Sequence, residues 1–150
     1  MKKFVAILLP LLVAGVACNK SEPPPPPPIT APPTTVPPPV SVSLVTLGKG
    51  IDADKRVGTA QDTFAAKDTI YASVETAGTG HARLRALWSF VKGAKVAKVD
   101  ETTIEFDSAA PAVNEFHIAK PSGWPKGDYK VEIFLNGGEG PAVTKTFKVA

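Results

Sequence analysis

The feature that most constrains this chain is strict alternation between two tightly bounded turns. In Lys120 to Gly138, KPSGWPKGDYKVEIFLNGG, Tyr129, Val131, Ile133 and Leu135 alternate with Lys130, Glu132, Phe134 and Asn136. A period of two is the signature of a half-buried strand. Pro121, Gly123, Pro125 and Gly127 precede it and Asn136-Gly137-Gly138 follows, so turn residues fix both ends. Beyond residue 40 the same period recurs and no helical periodicity competes with it.

Val40, Val42 and Leu44 alternate, then Val45 and Leu47 continue on the opposite parity, which implies a bulge or a strand that changes sheets. Gly48 to Lys67 is turn-rich and unassigned. Ile70, Ala72 and Val74 form the next apolar set, and Leu84, Ala86, Trp88 and Phe90 the one after it. Gly93 turns that strand into Lys95 to Val99, and Asp100-Glu101 is expected to turn again into Thr103 to Phe106. Phe116 and Ile118 mark a further strand, and Gly138 to Pro141 closes a last hairpin into Val143, Lys145, Phe147 and Val149. Seven or eight short strands with turns between them predict an all-β sandwich over Val40 to Ala150.

The first 39 residues are of another kind. Met1 to Ala17 has Lys2-Lys3 ahead of an apolar run from Phe4 to Val16, the layout of a secretory leader. That run is too short for a membrane-spanning helix and is interrupted by Pro10 and Gly15. Residues 18–39 carry the single cysteine, Cys18, and then an unbroken Pro23 to Pro28 run with Pro32, Pro33, Pro37, Pro38 and Pro39 after it. Proline fixes φ and removes the amide donor, so polyproline II is the expected state. At ~3.1 Å per residue, Pro23 to Pro39 would span on the order of 50 Å as a spacer. A docking site for a proline-binding module is the alternative role.

Gly15-Val16-Ala17-Cys18 resembles the lipobox of bacterial lipoproteins, although that family usually has Leu where Gly15 stands. The resemblance implies a lipidated Cys18, export to the cell envelope and a membrane contact through the lipid. Asn19 leans the address towards the outer membrane, on its periplasmic or surface face. Cleavage after Ala17 without lipidation would instead leave a free thiol. The folded part resembles an immunoglobulin-like domain without its disulfide. Trp88 lies 16 residues after Ala72, and Tyr129 lies two before Val131, as in the tyrosine corner. That resemblance implies that Ala72 or Val74, with Val131, takes the place of the two cysteines, and that Trp88 packs between them.

Charge excludes some partners. Of 17 Lys and Arg, Lys2 and Lys3 belong to the leader, which leaves 15 against 14 Asp and Glu. Such a balance predicts neither a nucleic-acid nor an acidic-membrane partner. Asp52 and Asp54 in GIDADK resemble the start of a calcium loop, but Arg56, Val57 and Thr63 break the pattern. His81 and His117 are isolated, Ser73 and Ser89 lie within strands, and no metal, cofactor or catalytic residue is expected. Parity sends Leu87 and Val91 outward from one strand and Phe134 from its expected neighbour, with Arg85, Lys130, Glu132 and Thr146 around them. An apolar patch with a polar rim fits a face for an envelope protein partner; scattered surface hydrophobes are the plainer reading. The leading expectation is thus a non-catalytic, membrane-anchored interaction module. The alternative is an envelope glycan-binding module stacking sugars on Trp124 or Tyr71.

Overall fold

Alternation becomes sheet because each strand has one face to bury, and two sheets facing one another bury both sets at once. The computed structural model describes residues 38–109 and 111–150, so the leader, Cys18 and most of the proline-rich stretch lie outside the described residues. It contains eight strands: β1 (Ser41–Gly48), β2 (Thr63–Phe64), β3 (Ile70–Ala77), β4 (Gly80–Lys92), β5 (Lys95–Ser108), β6 (Ala112–Ile118), β7 (Gly127–Leu135) and β8 (Val143–Val149). They form a sandwich of a three-stranded sheet, β1-β3-β6, and a five-stranded sheet, β2-β8-β7-β4-β5. All pairings are antiparallel except the short β2–β8 contact.

The parity switch in β1 is a bulge: the register to β3 shifts between Val42 and Leu44. Val45 and Leu47 are thereby turned into the core, and Leu44 is left exposed. One expectation is corrected. Asp100-Glu101 is no turn, because Lys95 to Ser108 is one continuous edge strand paired with β4. The irregularity falls at Val99 instead, where Trp88 pairs with Asp100 and Ser89 with Lys98. Asp100 and Glu101 stay in the strand because they pair with Trp88 and Leu87 of β4, and Arg85 and Lys98 bind the Glu101 carboxylate at 3.0 and 2.8 Å.

Trp88, Ala72, Val74 and Val131 are fully buried in one core cluster, and Trp88 and Val131 are cross-strand partners. Apolar packing therefore fills the positions that the resemblance assigns to the two cysteines. Around it runs a chain of rings. Phe147 stacks on Tyr129 with centroids 5.3 Å apart, and meets Trp88 and Phe64 edge-on at 5.9 and 5.6 Å. Tyr129 in turn touches Phe90 and Trp124. Gly127 (φ +147) leaves the room this needs, since a Cβ there would sit 2.7 Å from the Phe90 ring.

The Tyr129 hydroxyl donates to the Pro125 carbonyl at 2.7 Å, tying the strand to the turn before it. Burial raises the phenol above its ordinary pKa. A raised folded-state value means the neutral form is favoured by folding. Its contribution is fully present below the unfolded value of about 10 and is lost as pH rises through the folded one. Tyr129→Phe should therefore cost about 0.5–1.5 kcal/mol at neutral pH and flatten the alkaline fall in stability. Urea melts of both proteins from pH 8 to 11 check this; equal alkaline slopes would show that Tyr129 ionises without loss.

Candidate functional site

The outer face of the five-stranded sheet carries the residues expected to bind. Across β4 and β7, Arg85 faces Phe134, Leu87 faces Glu132, Ser89 faces Lys130 and Val91 faces Asp128. Across β4 and β5, Leu87 faces Glu101 and Val91 faces Val96. Leu87, Val91 and Phe134 thus share one face of neighbouring strands. Leu87 and Phe134 stand on a diagonal, close enough for side chains to meet. Val91 is separate: six residues along β4 divide it from the level of Phe134, roughly 20 Å at ~3.3 Å per residue.

Phe134 is only 8% exposed, although it points away from the core. The Arg85 guanidinium lies 3.9 Å above its ring centroid and covers it. Arg85 also reaches Glu101, and Lys130 pairs with Glu132 at 2.9 Å. Lys98 first, and Arg85 second, hold the Glu101 carboxyl below the ordinary carboxylate range. Leu87 is therefore a half-buried aliphatic side chain set between two glutamates whose charges are already engaged.

Trp124 is not available to a sugar. It is 7% exposed, its Nε1 donates to the Asp68 carbonyl at 3.0 Å, and its amide donates to Ala66 at 2.6 Å. The Asp68 carboxylate is itself fixed by Lys49 at 2.9 Å and by the Ala65 amide at 2.7 Å, and both lower its pKa. Trp124 closes that end of the sandwich against Tyr129. Tyr71 stays half-buried on the other sheet, beside the His117 ring at 5.3 Å.

The remaining polar candidates have local roles. Asp52 Oδ1 accepts the amides of Asp54 and Arg56, both at 2.9 Å, and so shapes its own loop. His81 meets Asp107 at 3.0 Å and His117 meets Glu115 at 3.1 Å. Ser73 and Ser89 are buried within strands. Among the described residues, no group of three or more His, Cys, Asp or Glu is placed to hold a metal ion.

Two features escaped the sequence reading. The Pro38 carbonyl accepts the Thr79 amide at 3.0 Å, which joins the end of the proline-rich stretch to the β3–β4 turn. Gly78 (φ +94) makes this approach possible, because a Cβ there would lie 2.3 Å from the Pro39 oxygen. The other is the β4–β5 hairpin, where lysine recurs at every third position in VKGAKVAK. That spacing was visible in the sequence; its meaning depended on which residues face each other. No protein-family model matches the chain, and no curated protein matches it.

Proposed function

We propose that this chain is a non-catalytic interaction module of the bacterial cell envelope, held at the outer membrane by a lipidated Cys18. Its protein partner contacts the outer face of the five-stranded sheet at Leu87 and Phe134. The supporting observation is the union of Pro38 and Pro39 with Gly78 and Thr79. It supports a tether that enters the sandwich at the pole carrying the β3–β4 turn. On the five-stranded face, an arginine-covered aromatic beside an aliphatic residue, rimmed by ion pairs, has the composition of an interface centre. A partner carboxylate that draws Arg85 aside would open the Phe134 ring to an apolar side chain of the same partner.

Site-specific photocrosslinking in intact cells tests this. A photoreactive aromatic at position 87 should give one discrete protein adduct, and the same group at position 117, on the other sheet, should not. Phe134→Asp should remove the adduct. Cys18→Ser should reduce it roughly tenfold or more, because the effective concentration supplied by the tether is lost. Adducts of equal yield from positions 87 and 117 would overturn the assignment of the face, and an adduct indifferent to Cys18→Ser would overturn the anchor. Adducts made only with glycan strands would favour sugar binding instead.

A further inference from the structure

The β4–β5 hairpin lies at the opposite pole. β4 starts two residues after Gly78 and runs for 13 residues to Lys92, a length of roughly 40 Å. Every residue from Lys92 to Lys98 is exposed. Lys92 and Lys95 face each other directly across the hairpin. Directly opposed like charges destabilise a strand pair, and neither lysine has a carboxylate partner among the described residues.

The rest of β5 is built differently. Lys98 and Arg85 share Glu101, and Arg83 bonds Glu105 at 2.7 Å. Lysines placed only to discourage edge pairing could have been neutralised in the same way. A third lysine without an ion-pair partner among the described residues, Lys126, lies two residues before Asp128, whose pairing with Val91 ends the β4–β7 register. The one nearby carboxylate on β7, Asp128, lies 3.9 Å from Lys148.

On the other side of the ribbon Val91 and Val96 are cross-strand partners. Val96 is 56% exposed, the most exposed large hydrophobic residue among those described. An aliphatic pair and an uncompensated lysine pair therefore share one hairpin end, on opposite sides of the ribbon.

We propose that this tip docks onto an anionic phospholipid surface. Val91 and Val96 enter the headgroup layer while Lys92, Lys95 and Lys126 reach lipid phosphates. Lysine is a flexible point charge suited to mobile phosphates, and its stem extends along apolar surface while the head stays wet. A protein interface would be expected to favour aromatics and arginine over lysine, and a sugar would need a ring to stack on. The hairpin end contains neither Leu87 nor Phe134, so lipid docking there is separate from the protein partner proposed above.

Vesicle co-sedimentation tests it, using the full chain with Cys18→Ser so that no acyl group contributes. Vesicles containing phosphatidylglycerol should bind at least about tenfold more protein than pure phosphatidylcholine, and the difference should shrink with added salt. Lys92→Glu with Lys95→Glu should abolish the preference, and Val96→Asp should weaken binding to both vesicles. Lys55→Glu with Lys145→Glu, two other unpaired lysines away from the hairpin, should leave it unchanged. Free glycerol phosphate at the same headgroup concentration should not compete, which separates a lipid surface from a soluble phosphate. Equal sedimentation with the two vesicles overturns the proposal. So does a preference that survives charge reversal at 92 and 95, or full competition by glycerol phosphate or soluble polyglutamate. Since the tip residues are solvent-exposed, unchanged urea melts certify each variant as folded; Val96→Asp supplies an independent reading should the double lysine variant fail to fold.

Discussion

Trp88→Ala is expected to lower the stability of the domain by about 3–5 kcal/mol. The side chain is completely buried at the centre of β4, between cross-strand partners Val131 and Asp100. Its ring supports Phe147 edge-on, so truncation leaves a cavity and strips a neighbour of contact. The only cysteine, Cys18, lies outside the sandwich, so no disulfide within the domain can absorb the loss. A domain of this size commonly has about 5–15 kcal/mol in total, and the variant would sit close to unfolding. The buried Nε1 of Trp88 has no hydrogen-bond partner among the described residues. Trp88→Phe should therefore cost distinctly less than its lost volume suggests, because it also removes an unsatisfied donor. Urea midpoints with an unchanged slope measure both effects. A midpoint for Trp88→Ala equal to that of the parent would remove this residue from the core.

The strands carrying these residues were legible in the sequence because burial on one face imposes a period of two. The inward set of β4 and β7 emerged residue by residue, including Trp88 and Tyr129. Two things were not legible, for different reasons. Phe64 is 1% exposed and packs on Phe147, yet it sits in a strand of only two residues, too short to show any period. Asp100-Glu101 has the composition of a turn, but pairing with Trp88 and Leu87 of β4, with the Arg85–Glu101 ion pair beside it, holds it extended. The candidate face was legible as parity and illegible as register. Alternation placed Leu87, Val91 and Phe134 outward. Only the pairing of Arg85 with Phe134 shows that Val91 stands apart, and that Arg85 covers the aromatic ring rather than rimming it. Register is set by partners distant in sequence, so no local pattern records it.

Phe147→Ala should be as damaging as the loss of Trp88, at about 3–5 kcal/mol. Its inward position followed from alternation with Thr146 and Lys148, but nothing in the sequence marked it as a centre. The structure does, because one ring on β8 touches rings from three other strands: Phe64, Trp88 and Tyr129. Each such aromatic contact adds about 0.5–1.5 kcal/mol beyond the area it buries. The rings should therefore behave as one unit. Losses from Trp88→Ala and Phe147→Ala should fall short of additivity by about 0.5–3 kcal/mol, since the second truncation removes contacts the first has already weakened. Phe147→Leu keeps most of the volume and should cost about 1.5 kcal/mol or less. A second readout is independent of stability. Burial is what raises the Tyr129 phenol, and Phe147 is its stacking partner, so in Phe147→Ala that phenol should ionise at lower pH than in the parent. Absorbance titration of a Tyr71→Phe background isolates that signal, because Tyr71 and Tyr129 are the two tyrosines of the chain. Strict additivity with Trp88→Ala, together with an unmoved Tyr129 titration, would mean that the four rings are neighbours without being coupled.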